Sequence, residues 1–239
     1  MTRTEDYEKL IDYIEQQLFE GKLKVGDRLP AERELSMMLD ISRGSVRIGL
    51  AVLVAIGVVD SKHGSGNYIN GAYDHKLTQV MTMIYALCDM NEREVVGLRY
   101  ASEQEAILLA HQSISQEQKD RLWYHLEKLE SVKDPIEQTV HDQMIHSTIV
   151  EASNNRLVIA QYTALNKLLN VLIHKVRDTI AGMGEQEYKG LQASHRDLVV
   201  NLCNDNYQGA KEALDDHFYY MLKVIEEEEL TGGLPSEVE

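Results

Sequence analysis

Residues 29–69 read LPAERELSMMLDISRGSVRIGLAVLVAIGVVDSKHGSGNYI, and their pattern specifies the architecture of the first third of the chain. Pro30 suits the first turn of a helix over AERELSMML, in which Leu35, Met38 and Leu39 form an apolar side. Asp40-Ile41-Ser42 interrupts that helix with a single apolar anchor. Ser42 is a good N-cap for the next helix, SRGSVRIGLAVLVAIG, which stops at Gly57. Two short helices joined by so brief a turn make a helix-turn-helix pattern. In the second of them Val46, Leu50 and Leu53 point one way. Arg43 and Arg47, four residues apart, share another face, with Ser45 nearby. Exposed arginines on the first turns of such a helix can reach guanine edges in a major groove, or can form ordinary ion pairs on a solvated face. Val58–Lys62 and Asn67–Ile69 read as two strands around His63-Gly64-Ser65-Gly66, a turn whose glycines let bare backbone N–H groups approach a phosphate.

Upstream, Tyr7, Leu10, Ile11, Tyr13, Ile14 and Leu18 recur at helical spacing, so residues 5–20 predict an amphipathic helix ending near Gly21. Together these elements predict a winged helix-turn-helix over residues 1–72. The net charge of −15 opposes a nucleic-acid partner until its distribution is considered. Residues 1–72 hold nine Lys/Arg against eleven Asp/Glu, whereas the remainder holds fifteen against twenty-eight. The acid is concentrated away from the segment that would meet DNA.

The 29–69 stretch resembles the DNA-binding domain of the GntR family. It carries that family's L-P-[SA]-E-R-x-L, a short turn, S-R-x-x-V-R, a G-[LV]-[VI] step and a G-x-G-x-[FY]-[VI] wing. The resemblance implies DNA contacts by Arg33, Arg43, Arg47, His63 and Gly64, assisted by Ser42 and Ser45. It also implies a homodimer on an inverted repeat with T-G-G-T-like and A-C-C-A-like halves. One departure is Ile48-Gly49, where the family usually has Glu-Ala. Gly49 should weaken the helix by roughly 0.5–1 kcal/mol relative to alanine.

From residue 75 the pattern is helical with few breakers, and helices are expected at 76–88, 91–111, 115–131, 135–152, 155–181, 185–204 and 207–229. Ser115 with Gln118 makes a capping box, and Asn154-Asn155 and Gly182-Met183-Gly184 are turn signals. An all-α antiparallel bundle of six or seven helices is expected over residues 73–230, with a flexible tail at 231–239. No apolar run is long enough for a membrane span and the N-terminus has no signal-peptide pattern. Cys88 and Cys203 are the only cysteines, without C-x-x-C spacing, which fits a reducing cytoplasm.

Asp142 and His146 are four apart and emerge from one helix face, while His195 and His217 lie on later helices. Three imidazoles and a carboxylate suit a divalent metal, but spacing alone favours surface or singly hydrogen-bonded polar residues. The strings DQMIHSTIVEASNNRL, ASHRDLVVNL and AKEALDDHFYYM resemble the FCD effector domain of FadR-type GntR regulators. The resemblance implies that Asp142, His146, His195 and His217 hold a metal: zinc first, with nickel, cobalt, iron and manganese also compatible. Ile145 stands where the family usually has an aromatic residue, a volume change expected in the pocket wall. His141 is expected at the surface, and His174 is left open. In L-R-x-x-[LS]-E context the family's arginine faces the effector; here that is Arg99, whose planar fork suits a small organic acid. Pairing of Arg99 with Glu103, four residues on, is the alternative.

A transcription regulator, and specifically a repressor controlled by a carboxylate effector, accounts for both parts of the chain. A metalloenzyme accounts only for the second, where no general base of the H-E-x-x-H kind stands by the ligands. A non-catalytic DNA-binding adaptor accounts only for the first.

Overall fold

The computed structural model describes residues 5–72, 74–88 and 91–231. The chain divides into two compact units, Met1–Val80 and Met81–Glu239. The expected tail at 231–239 lies outside the described residues except for Thr231.

In the first unit, α1 (Glu5–Phe19), α2 (Glu32–Leu39) and α3 (Arg43–Ala55) precede a hairpin of β1 (Val59–Lys62) and β2 (Gly66–Ile69). The strands pair antiparallel, Val59 with Ile69 and Lys62 with Gly66. Leu10 and Ile14 of α1, Leu35 of α2 and Val46, Leu50 and Leu53 of α3 are buried in one apolar core that also takes in Val59 and Ile69. Ile41 is the buried anchor of the turn, which Asp40 makes by adopting φ 50°. Two expectations need correction. Pro30 sits ahead of the helix, because Ala31 is the N-cap and Glu34 accepts its N–H at 2.9 Å. Met38 is 57% exposed rather than part of the apolar side.

The second unit is built from α5 (Glu92–Ser113), α6 (Gln116–Ser131), α7 (Pro135–Ala152), α8 (Arg156–Met183), α9 (Glu185–Cys203) and α10 (Tyr207–Thr231). The unit boundary falls within α4 (Asp74–Leu87). The Ser115–Gln118 capping box is present in both directions, and an equivalent Asn91–Glu94 box starts α5. Asp134 caps α7 with Pro135 in the first turn, and Asn155 caps α8 after Asn154 turns the chain with φ 52°. These caps satisfy N–H groups that a helix start leaves without partners. Leu122, Leu126, Ile145, Ile149, Leu165, Leu198 and Leu214 belong to one continuous core. Ile145 is fully buried there. Among the described residues the fold is ten helices and one two-stranded sheet, a winged helix-turn-helix followed by a helical unit.

Gly49 has a packing reason that its helix propensity hides. A Cβ there would meet Leu10 Cδ2 at 2.9 Å and the Tyr7 carbonyl at 3.1 Å, so the glycine admits α1 against α3. Alanine would regain roughly 0.5–1 kcal/mol of helix propensity. Overpacking typically costs about 1–3 kcal/mol, and that effect is the larger. Gly49→Ala in the full chain is expected to lower hydrogen-exchange protection in α1 and α3 by about 1 kcal/mol. Slower exchange in the variant would refute the packing account.

Candidate functional site

The DNA-facing candidates cluster at the start of α3 and at the wing. Ser42 caps α3 by accepting the Ser45 N–H at 3.0 Å, and the two hydroxyls are 2.8 Å apart. Ser45 is buried, so both serines build the helix start, and only Ser42 of the two is exposed. Arg33, Arg43 and Arg47 are exposed. Glu32 gathers two of them, with Arg47 Nε at 2.8 Å and Arg43 at 3.9 Å. Sequence reasoning missed Glu32 as their shared partner. His63 and Gly64 lie exposed at the wing turn, where Gly64 has φ 72° and Gly66 φ 119°.

The second cluster lies inside the helical unit. Asp142 and His146 come from α7, His195 from α9 and His217 from α10, and all four are buried. The ligand nitrogens of the three histidines lie within 4.8 Å of one another. Asp142 Oδ2 is 3.2 Å from His195 Nε2, and its Oδ1 is 3.7 Å from His146 Nε2. The residues that the sequence marked as scattered ligand candidates are therefore brought together.

Their partners fix which nitrogen carries the proton. His195 Nδ1 donates to the Leu191 carbonyl at 2.9 Å, and His146 Nδ1 donates to the Glu103 carboxylate. Both partners can only accept, so in each neutral imidazole the lone pair sits on Nε2. Among the described residues those Nε2 atoms, and both ring nitrogens of His217, have no hydrogen-bond partner. Burial holds the His146 and His217 imidazoles below their ordinary value, His217 the more strongly, which favours the neutral form. With the neutral form favoured at His146, its Nε2 lone pair faces the Asp142 carboxylate as acceptor to acceptor. A cation between them turns that repulsion into coordination, so the donor set fits a divalent metal.

Glu103 is the residue that sequence reasoning used only as an alternative partner for Arg99. Both are fully buried, and Arg99 Nε donates to Glu103 Oε1 at 2.7 Å. The Glu103 carboxylate thus bridges Arg99 and His146. Burial pushes its pKa up, but His146 and Arg99 outweigh that and hold it below the usual value. Arg99 also stacks near the Phe218 ring, 5.5 Å from its centroid, and its terminal NH2 lies 3.9 Å from Asp142. His141 departs from expectation. It is half-buried, and its Nδ1 lies 3.0 Å from His125 Nδ1, because α6 packs over that face of α7. The side chain of His174 lies outside those described.

A winged helix-turn-helix followed by an all-helical unit with a buried histidine cluster defines the class: a DNA-binding transcription regulator. Residues 6–69 match the family model of bacterial regulatory proteins of the gntR family, and residues 94–219 match that of the FCD domain. The chain belongs to the GntR family and carries an FCD domain. It is 25% identical over 218 residues to an Escherichia coli (strain K12) regulatory protein named for the L-lactate dehydrogenase operon, covering 90% of this chain and 84% of that one. It is 23% identical to the Glc operon transcriptional activator of the same strain, covering 94% and 91%. A solved GntR structure from Streptococcus agalactiae has the same fold at 20% identity and TM-score 0.53, covering 93% of this chain and 99% of that one. Among the described residues no helix is long and apolar enough to cross a membrane.

Removing the bridging carboxylate tests its structural part. Glu103→Leu leaves a buried guanidinium without its partner and should destabilise the helical unit by about 3–5 kcal/mol. Urea denaturation of wild type and variant checks this. Equal midpoints would mean that the Arg99–Glu103 pair contributes nothing to the fold.

Proposed function

We propose that the chain is a homodimeric cytoplasmic repressor whose grip on an inverted-repeat operator is set by a small carboxylate bound at a divalent metal. The observation that carries this reading is the buried set of Asp142, His146, His195 and His217, with Nε2 lone pairs turned toward one carboxylate. Zinc is the first choice for three imidazoles and one carboxylate; nickel, cobalt, iron and manganese suit the same donors. A bound ion would supply positive charge and open positions for a ligand oxygen.

Charge favours a monocarboxylate. Arg99 against Glu103 and Asp142 leaves the buried group one negative charge, and a divalent ion would turn that to one positive charge. Arg99 uses Nε on Glu103, and among the described residues its terminal NH2 meets no hydrogen-bond acceptor, leaving one donor for a carboxylate beside the ion. The relative named for an L-lactate dehydrogenase operon points the same way, since lactate is a hydroxylated monocarboxylate.

At the DNA end, Arg33, Arg43 and Arg47 would meet the duplex with His63 and Gly64 of the wing, while Ser42 and Ser45 hold the start of the recognition helix. The Glu32–Arg47 pair is exposed, and such pairs contribute only about 0–1 kcal/mol, so a guanine edge or phosphate can replace it. Two copies on a two-fold axis would read the two halves of the operator.

Fluorescence anisotropy on an inverted-repeat duplex, with and without L-lactate and added metal, tests the whole reading. Arg47→Ala should weaken operator binding by about 1–3 kcal/mol. Metal with carboxylate should weaken wild-type binding by roughly 5–150-fold. His195→Ala should bind the duplex yet lose that response. Unchanged affinity in both Arg43→Ala and Arg47→Ala refutes the DNA face. A carboxylate response that persists undiminished in His195→Ala refutes the metal-linked effector.

A further inference from the structure

The wing has a third row. Gly26 N–H donates to the Ile69 carbonyl, Ile69 N–H to that of Asp27, and Leu29 N–H to that of Asn67, each at 2.9 Å. Arg28 is bridged antiparallel to Tyr68. The segment before α2 therefore lies along β2 as a short edge, which fixes the backbone of Arg28 beside the hairpin.

The Arg28 side chain runs toward the wing turn. A Cβ on Gly66 would meet Arg28 Nε at 3.0 Å and its terminal nitrogen at 3.3 Å, so the missing side chain makes room for the guanidinium. Across the hairpin Gly66 is paired with Lys62, whose Nζ lies 5.1 Å from the Tyr68 ring centroid. Two cations thus flank Gly66, two residues from Gly64. Both Arg28 and Lys62 are exposed.

Neither cation is neutralised by an ion pair among the described residues, whereas Arg43 and Arg47 share Glu32. Asp27 accepts the Lys24 N–H at 2.8 Å. Asp60, opposite Tyr68, shares the strand face of Lys62 but is in no ion pair with either cation among the described residues. In a chain of net charge −15, two cations outside any ion pair among the described residues on a fixed edge are a local exception. An arginine fork and an ammonium beside bare backbone make a site for a tetrahedral anion.

We propose that Arg28 and Lys62 clamp one backbone phosphate of DNA at the base of the wing turn, positioning the wing without reading sequence. This rests on the DNA-binding role of the first unit and adds Arg28 to the residues that perform it. Phosphate contacts set register and orientation, and base contacts set specificity. The clamp would hold the wing while α3 discriminates.

The experiment is a salt titration of binding by the full-length protein, on the operator and on an unrelated duplex of equal length. Each phosphate contact that is lost lowers the slope of log affinity against log salt by roughly 0.9. Arg28→Gln removes one contact from each protomer of the proposed dimer and should lower the slope by roughly 1.8 on both duplexes, and Lys62→Gln should also lower it. Arg28→Lys, which keeps the charge, should restore most of the slope. Both residues are exposed, so the thermal melts of these variants should match wild type. A wild-type slope in Arg28→Gln, or a loss confined to the operator, overturns the clamp while leaving DNA binding intact. A wild-type protein that binds neither duplex overturns the DNA-binding role together with it.

Discussion

Asp142 faces His195 Nε2 across 3.2 Å within a buried helical core, and the His195 Nδ1 proton is committed to the Leu191 carbonyl. A carboxylate and an imidazole nitrogen at that separation in a low-dielectric interior need positive charge between them, whether a proton or a metal ion. Three helices are arranged around this contact. α7 supplies Asp142 and His146 one turn apart, α9 supplies His195, and α10 supplies His217. Each of these polar groups takes a place that an apolar side chain could fill, so without a bound cation the cluster is a cost to the fold.

A second layer holds the first in place. Glu103 accepts from His146 on one oxygen and from Arg99 on the other, tying α5 to the cluster. A carboxylate behind a ligating imidazole fixes the tautomer and raises the basicity of the ring. Arg99 therefore has two parts. It neutralises Glu103 and, with its remaining donor near Asp142, adds positive potential to the same interior. With the proposed divalent ion bound, such a site would carry net positive charge and favour small anions on electrostatic grounds.

Helix positions were legible in the sequence because the apolar spacing, the caps and the turns agreed with one another. Ser42, Ser115 and Asn155 mark helix starts by side-chain chemistry that acts over three residues, which a sequence displays directly. The four ligand candidates were legible as residue types, but their convergence depends on how α7, α9 and α10 pack, which no local pattern encodes. Gly49 read as a weakness because propensity is local, whereas its role is contact with Leu10, 39 residues earlier. His141 read as surface because its partner, His125, sits on a different helix. The bridging part of Glu103 was hidden for the same reason. Its spacing to Arg99 was visible, and its contact with His146 was not.

The claim on which the rest turns is that the buried cluster holds a metal. Elemental analysis of gently purified wild type and His195→Ala, paired with thermal melts before and after chelator, tests it most directly. Wild type should carry a divalent ion close to stoichiometric with the chain and melt at a lower temperature once chelator removes it. Saturating metal at a hundredfold excess over its dissociation constant stabilises by about 2.7 kcal/mol, enough to resolve in a melt. His195→Ala should carry little metal and show little chelator response. A wild-type protein that carries no metal, takes none up and melts identically with chelator would contradict the account. Asp142 and the three histidines would then be polar residues paired within a helical bundle.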